Sequence, residues 1–197
     1  MRVDTIILAS GSPRRRELLK RLFTEFEPAS SDIDESPRDG ESPRIHAERL
    51  AVEKAAKVSA RNSLIIAADT IVVIDNEVLG KPESAAHASI MLKRLSGKTH
   101  TVITAFCLMH EAEKILKVRS VESKVTFRAM SGKEISAYIA TGEPLDKAGS
   151  YGAQGIGKNF ISRIEGSLTN VIGLPMEALE EEILKIGILP DAAKTKT

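Results

Sequence analysis

The sequence contains little cysteine and few aromatic residues. Among its 197 residues are one cysteine, no tryptophan, two tyrosines and five phenylalanines. A single cysteine excludes an internal disulfide and a cysteine-rich metal site. Because Cys107 lies within an apolar run, we interpret it as a small buried side chain rather than a nucleophile. So few aromatic side chains also argue against a surface on which nucleic-acid bases stack.

The sequence also lacks a charge bias and any long apolar run. Its 28 basic and 27 acidic side chains leave a formal charge of +1, so no global field would attract a nucleic acid or a membrane. No run approaches the roughly 18 apolar residues that span a bilayer, and the stretch before Ser10 is too short for a secretory signal. We therefore expect a soluble, cytoplasmic protein, with enough apolar residues for a sizeable core.

Strand-like and helix-like segments alternate along the sequence, which predicts an α/β fold. Strands are predicted at residues 5–9, 64–68, 99–109, 115–127 and 160–164, with a short strand before Ser30 and a tight hairpin at Asp75-Asn76. Helices are predicted to begin near Pro13, Pro43, Glu83, Ser131 and Pro175. We expect one domain over residues 1–190 and a disordered tail at 191–197. His100 and His110, at the edges of long strands, are interpreted as surface residues.

One stretch predicts a strand that turns directly into a helix with arginines in its first turn. Ser12 is suited to cap this helix and Pro13 to its first position. Arginines at 14–16 add positive charge where the helix start is already positive, so an anion is expected there. Helical spacing directs Arg15 toward the body of the fold. The stretch indicates either a phosphate cradle, with serine hydroxyls and a guanidinium, or a solvated basic turn.

Four further charged side chains lie near predicted ligand-binding positions. Lys54 interrupts the apolar stripe of its helix, so its ammonium either reaches the surface or meets an anion. Asp69 directly follows the predicted strand 64–68, at the strand end where α/β folds bind ligands. It is either balanced by a cation or metal or is a turn residue bonded to backbone. Lys81 follows the hairpin, and an acidic loop that includes Glu35 could bind a cation or be solvated.

A glycine-rich stretch at residues 146–157 contains four glycines at nearly regular spacing. The spacing does not match a dinucleotide-binding fingerprint, which requires its glycines between a strand and a helix. We interpret these glycines as positions where the backbone approaches a ligand closely, with Lys147 and Gln154 offering polar groups. A polyphosphate with a divalent cation would account for all of these features together.

An ordered set of motifs from residue 6 to about 184 resembles the Maf family. The motifs are Ala-Ser-Gly-Ser-Pro-Arg-Arg at 9–15, Glu-Lys-Ala at 53–55, Ala-Asp-Thr at 68–70, Gly-Lys-Pro at 80–82, Leu-Ser-Gly at 95–97 and the glycine-rich stretch. The resemblance implies a two-lobed mixed β-sheet flanked by helices, similar to inosine triphosphate pyrophosphatases, with the active site in the cleft between lobes. It also implies a house-cleaning pyrophosphatase that cleaves a nucleoside triphosphate into a monophosphate and pyrophosphate.

The resemblance assigns roles to particular residues. It implies that Asp69 is the general base and, with Glu35, a ligand of a divalent metal, for which Mg²⁺ is expected and Mn²⁺ or Co²⁺ are alternatives. The residues implied in phosphate binding are Ser10, Ser12, Arg15, Lys54 and Lys81. The residues at which branches of the family differ are Arg14, Thr70 and Gln154. Their combination resembles the dTTP/UTP branch rather than the 7-methyl-GTP branch.

Two other functions remain open at this point. One is the same chemistry on another nucleotide, such as 7-methyl-GTP or a modified pyrimidine nucleotide. The other is a nucleotide-binding regulator of septum formation that acts through a protein partner and has no turnover. The expected ligand is a nucleoside triphosphate, with neither nucleic acid nor membrane as partner, and the sequence does not decide between a homodimer and a monomer.

Overall fold

The structure is a computed structural model that describes residues 3–58 and 60–191. Its strands are β1 (Thr5–Ala9), β2 (Glu27–Ala29), β3 (Ser63–Ile74), β4 (Glu77–Leu79), β5 (Thr99–His110), β6 (Ile115–Phe127) and β7 (Ile161–Glu165). Its α-helices are α1 (Pro13–Leu19), α2 (Pro43–Val58), α3 (Ala85–Leu95), α4 (Gly132–Ala140), α5 (Leu168–Ile172) and α6 (Met176–Lys185). Short 3₁₀ helices lie at Glu143–Asp146, Ala148–Ser150 and Gly157–Phe160. The predicted α/β fold is confirmed.

The strands form one mixed seven-stranded sheet, in the order β2-β1-β3-β5-β6-β7 with β4 paired to β3. β1 runs parallel to both β2 and β3, and Ala9 lies opposite Ala29 on one side and Ala67 on the other. β4 runs antiparallel to β3, and β7 runs antiparallel to β6. Because β1 and β2 end at the same level while β3 continues, the part of β3 after Ala67 extends past the turn that follows β1.

The chain divides into two compact units. The first takes the described residues within 1–69, 104–121 and 173–197, and the second takes residues 70–103 and 122–172. The two-lobed organisation implied by the family resemblance agrees with this division. Buried side chains of the first unit include Leu8, Leu18, Leu50, Ile66 and Leu179.

The second unit has a core rich in aromatic side chains. The ring of Phe127 lies 4.7 Å from that of Tyr151 and 5.0 Å from that of His100, in edge-to-face arrangements. Tyr138 and Phe160 form a similar pair at 5.1 Å. Four of the seven phenylalanines and tyrosines of the sequence therefore lie in this core, where they contribute large buried areas.

Several expectations about individual segments were wrong. β3 does not end before Asp69 but continues to Ile74, because the charge of Asp69 is compensated within the protein, as described below. His100 and His110 are not surface residues, since they are 3% and 1% exposed. Both lie on β5, which is buried along most of its length. The short helix α5 was not predicted.

The described chain ends at Asp191, where the tail was predicted to begin. The Asp191 amide donates to the carbonyl of Leu22, and its carboxylate accepts hydrogen bonds from the amide and hydroxyl of Thr24, each at 2.8 Å. Asp191 is therefore anchored to the first unit, and the rest of the predicted tail, 192–197, lies outside the described residues. Over residues 3–58 and 60–191, no helix has the length and apolar character needed to cross a membrane.

Candidate active site

Two serines shape the turn between β1 and α1. Ser10 is buried directly after β1, and its hydroxyl accepts a hydrogen bond from the Ser12 amide at 3.2 Å. Ser12 caps α1, its hydroxyl accepting from the Arg15 amide, and Pro13 occupies the first turn. The predicted strand, cap and helix start are confirmed. The turn thus lies at the carboxyl end of β1, with helix-start N–H groups and two hydroxyls close together.

Arg15 points into the first unit, as its helical position predicted. Its Nε donates to the carbonyl of Gly173 at 2.8 Å, and its Nη1 donates to the Ser10 hydroxyl at 3.2 Å. Burial lowers the pKa of Arg15, whereas the negative charges of Asp69 and Glu35 favour its charged form. A guanidinium is therefore fixed beside the serine turn and within the field of two carboxylates.

Lys54 lies between two carboxylates. Its Nζ is 2.5 Å from Asp69 Oδ1 and 2.7 Å from Glu35 Oε1. The side chains of Lys54 and Asp69 are 9% and 8% exposed, whereas that of Glu35 is 42% exposed. Of the two interpretations of Lys54, the one in which its ammonium meets an anion is confirmed. A buried ion pair of this kind is costly to break, because the remaining charge has no compensation.

The carboxylates of Glu35 and Asp69 have the chemistry of a site for a hard divalent cation. Both contact the same ammonium, so their oxygens converge on one point. In the part of the chain that the structure describes, no group of three or more His, Cys, Asp or Glu side chains could hold a metal. Mg²⁺ commonly takes one or two protein carboxylates and completes its shell with water and substrate phosphates. The donor set therefore fits a cation that binds together with a phosphate substrate.

The remaining predicted site residues are distributed over both units. Arg14 lies on α1 in the first unit, whereas Thr70, Lys81 and Gln154 belong to the second. Lys81 and Gln154 are exposed and Thr70 is half-buried. The backbone next to Lys81 is tied to the glycine-rich segment, since the carbonyl of Gly80 accepts a hydrogen bond from the Gly149 amide at 3.0 Å.

The glycines of this segment pack closely against the protein itself. Gly149 has φ of +66°, and an added Cβ would lie 2.8 Å from Val72 Cγ2. A Cβ at Gly157 would lie 2.6 Å from the Tyr138 hydroxyl. The interpretation that these glycines allow close approach of a ligand is thus replaced, at Gly149 and Gly157, by close approach of protein groups.

Two polar clusters were not predicted from the sequence. In the first unit, Arg49 donates to both carboxylate oxygens of Glu41 at 2.6 and 2.8 Å, and to the carbonyl of Ser36 at 3.0 Å. In the second, the Glu143 carboxylate accepts hydrogen bonds from the glycine-rich segment. Neither cluster has a local spacing that would reveal it, because the partners meet only after folding.

Comparison with known proteins agrees with this architecture. The family profile described as "Maf-like protein" matches residues 5–186. The chain belongs to the Maf family. The Maf-type sequence is 47% identical over 186 residues to a protein of Desulfotalea psychrophila named dTTP/UTP pyrophosphatase, covering 93% of this chain and 95% of that protein. A protein of Geobacter sulfurreducens with the same name is 45% identical over 191 residues, covering 96% of this chain and all of the relative.

A third Maf relative, from Myxococcus xanthus and also named dTTP/UTP pyrophosphatase, is 49% identical over 173 residues, 87% of each chain. Among solved structures, a HAM1 protein from Coxiella burnetii superposes with a TM-score of 0.54 at 16% identity, covering 92% of this chain and 98% of that one. At this identity the match concerns the fold alone. The structural match covers almost the whole of this Maf chain, so the shared fold includes both units.

Proposed function

We propose that the protein is a nucleoside triphosphate pyrophosphatase that hydrolyses dTTP and UTP, and modified pyrimidine nucleotides, to the monophosphate and pyrophosphate. The observation that carries the proposal is the buried Lys54, held between Asp69 and Glu35, whose charges act on Arg15 at the Ser10 turn. The relatives named dTTP/UTP pyrophosphatase support the choice of substrate. The substrate is a free nucleotide rather than a nucleic acid.

In this proposal the cationic groups bind the triphosphate. The Ser10 and Ser12 hydroxyls and the N–H groups at the start of α1 donate to phosphate oxygens, and the Arg15 guanidinium adds a fixed positive charge. Lys54 shifts part of its contact from the carboxylates to a phosphate oxygen when substrate binds. Lys81 is the fifth proposed phosphate ligand.

Asp69 is the proposed general base. One of its oxygens is within 2.5 Å of Lys54 Nζ, so the side chain is held in one orientation, and it accepts the proton of the water that attacks the α-phosphorus. Asp69 and Glu35 would hold the divalent cation, Mg²⁺ in the first instance. When bound, such a cation supplies charge compensation for phosphate oxygens and lowers the pKa of water.

The nucleobase of the substrate is recognised by three residues that differ between branches of the family. Gln154 is exposed in the glycine-rich segment, and its amide offers both a donor and an acceptor to a pyrimidine edge. Arg14 and Thr70 complete the proposed set. We expect these residues to favour dTTP and UTP over 7-methyl-GTP.

The proposal is tested by measuring pyrophosphate release with Mg²⁺ from dTTP, UTP, CTP, GTP and 7-methyl-GTP. Asp69→Asn removes the base but keeps the size of the side chain, so kcat should fall by at least about 100-fold. Binding of a non-hydrolysable dTTP analogue should persist. Asp75→Asn is the matched control, because Asp75 lies in the exposed β3–β4 turn at φ of +53°, which asparagine tolerates.

Three results would contradict the proposal. If no triphosphate releases pyrophosphate but nucleotides bind, the protein is a binding regulator instead. If 7-methyl-GTP is cleaved faster than dTTP and UTP, the assignment of Arg14, Thr70 and Gln154 is wrong. If Asp69→Asn retains full turnover with unchanged thermal unfolding, Asp69 is not the base.

A further inference from the structure

The glycine-rich segment is folded around a single carboxylate. Glu143 Oε2 accepts a hydrogen bond from the Ile156 amide at 3.0 Å, and Oε1 accepts one from the Gly157 amide at 3.1 Å. Both donors are consecutive backbone N–H groups of the segment that carries Gln154. Hydrogen bonds to an ionised acceptor are stronger than neutral ones, so this end of the segment is firmly tied.

The other end of the same segment is tied through a tyrosine. The hydroxyl of Tyr138 donates to Glu143 Oε1 at 2.9 Å and accepts from the Gly152 amide at 3.2 Å. Glu143 and Tyr138 therefore hold both ends of residues 152–157. We refer to these two side chains as the loop anchor. Gln154 lies between the anchored ends and is exposed.

The backbone of the segment lies directly against the loop anchor. Gly155 has φ of +74°, and a Cβ at this position would lie 2.8 Å from Glu143 Oε2. Burial alone would raise the pKa of Glu143, but the hydrogen bonds from Ile156, Gly157 and Tyr138 outweigh it and lower the pKa. The carboxylate is thus kept in its anionic form, in which it accepts all three bonds.

We propose that Glu143 and Tyr138 are positioning residues for selection of the nucleobase. They hold residues 152–157 in the one conformation in which Gln154 presents its side-chain amide to the nucleobase. This inference rests on the function proposed above, and it assigns to the two residues no contact with the substrate. Without the anchor, a segment that contains Gly152, Gly155 and Gly157 gains conformational freedom, so part of the binding free energy is spent on ordering it.

The effect is confined to recognition of the nucleoside. Asp69, Lys54 and Arg15, which act on the phosphates in the proposal, belong to the first unit, whereas the loop anchor belongs to the second. Lys81, also a proposed phosphate ligand, belongs to the second unit but lies outside residues 152–157, which the anchor holds. Loss of the anchor should therefore raise KM and reduce discrimination between bases, with kcat changed less. Inhibition by inorganic pyrophosphate, which reports only on phosphate binding, should remain as in the wild type.

The experiment compares Glu143→Gln, Tyr138→Phe and Gln154→Ala in steady-state kinetics with dTTP, UTP, CTP and GTP. A glutamine at 143 cannot accept from both backbone amides, because one of its terminal atoms is a donor. We expect a KM for dTTP about tenfold higher, a kcat within about twofold, and a correspondingly smaller ratio of kcat/KM between dTTP and GTP. Binding of dTMP should weaken in parallel, while the inhibition constant of pyrophosphate stays constant.

A double-mutant cycle separates positioning from a merely structural role. If Glu143 acts through Gln154, the pair Glu143→Gln with Gln154→Ala should lose no more selectivity than Gln154→Ala alone. Glu134→Gln is the matched control, because Glu134 also accepts from backbone in the same unit, in the cap of α4. It should leave all of these constants unchanged.

Failure of this inference can be told from failure of the proposed function. If the wild type releases pyrophosphate from no triphosphate, the function itself is wrong. If the wild type prefers dTTP and UTP but the folded Glu143→Gln protein keeps the wild-type KM and selectivity, or if the two substitutions are additive, the inference alone is wrong. Should Glu143→Gln not fold, Tyr138→Phe decides, since it removes a single hydroxyl from the anchor.

Discussion

At the scale of single residues, the first unit tolerates buried charge because opposite charges lie in direct contact. Lys54 and Asp69 are both nearly inaccessible, and Glu35 is the more exposed third member. Attraction between the ammonium and the carboxylates lowers the free-energy cost of burying them, whereas removal of the ammonium leaves the carboxylates uncompensated. The arrangement explains how β3 can continue through an aspartate and how α2 can place a lysine on its inward face.

Lys54→Met should destabilise the protein. Methionine keeps most of the apolar stem but removes the ammonium, which leaves two neighbouring carboxylates without the charge between them. We expect the free energy of unfolding to fall by about 3 kcal/mol, measured by urea denaturation at pH 7. Lys57→Met, an exposed position in the last turn of the same helix, is the control and should have little effect. Equal effects of the two substitutions would contradict the interpretation.

Gly149→Ala should also destabilise, for two separable reasons. The left-handed backbone conformation of this residue is strained for alanine, which costs about 1–2 kcal/mol. The added Cβ would also lie 2.8 Å from Val72 Cγ2, and overpacking of this kind costs about 1–3 kcal/mol. Gly142→Ala isolates the first contribution, because Gly142 has φ of +75° but no atom near the added Cβ. A loss of unfolding free energy no larger at Gly149 than at Gly142 would exclude the steric contribution.

At the scale of elements, the acidic loop that carries Glu35 is tied to α2. Arg49 reaches Glu41 through two hydrogen bonds and also bonds the Ser36 carbonyl. Its hydrogen bonds to Glu41 hold the pKa of that carboxyl well below its usual range. Because α2 also carries Lys54, this tie fixes the loop relative to the ammonium that Glu35 contacts.

Arg49→Met should therefore loosen the loop. We expect faster hydrogen exchange at the amides of residues 36–41, and a smaller unfolding free energy, because Glu41 would lose its buried partner. Arg38→Met is the control, since Arg38 pairs with Glu53 at a side-chain exposure of 65% and such surface pairs contribute little. If Arg49→Met leaves exchange in this loop at the wild-type rate, the loop is held by other contacts.

Elements were predictable from the sequence where the signals are local. Ser12 with Pro13, the helix start at Ser131, and the hairpin at Asp75 and Asn76 depend on neighbours within a few residues, and all are present. The continuation of β3 through Asp69 could not be predicted, because it depends on Lys54 from another element. The same holds for Glu143, whose donors are backbone amides that any residue carries. For the candidate site, the sequence indicated the charged side chains but not the ion-pair and hydrogen-bond partners that hold them in place.

At the scale of the whole molecule, two kinds of titrating group make stability depend on pH in different ranges. Hydrogen bonds from Lys185 and Arg119 lower the pKa of Glu181 to about 2, and a hydrogen bond from Arg128 lowers that of Glu134 to about 2. Such carboxylates stabilise the fold above their unfolded pKa of about 4.3, and this contribution is lost only below that value. Between pH 7 and 5 they should contribute little change.

His100 acts in the higher range. Burial lowers its pKa to about 4, and its Nε2 is 2.8 Å from the Tyr151 hydroxyl, among the aromatic rings of the second unit. In the unfolded chain the imidazole titrates near its ordinary pKa of about 6.5. As the pH falls below 6.5, the unfolded state therefore binds a proton that the folded state does not. The contribution of neutral His100 to the free energy of unfolding is therefore fully present above pH 6.5 and is lost as the pH falls toward 4.

The unfolding free energy of the wild type should accordingly fall by about 2 kcal/mol between pH 7 and pH 5 through His100 alone. His100→Gln keeps a side chain that can hydrogen-bond Tyr151 but cannot titrate, so this part of the pH dependence should disappear even if the variant is less stable at pH 7. His87→Gln, on α3, should retain it, because His100 is unchanged. Urea denaturation of the three proteins at both pH values measures the difference. Parallel losses in the wild type and His100→Gln would mean that His100 is protonated in the folded protein, and that the aromatic core of the second unit accommodates the charge.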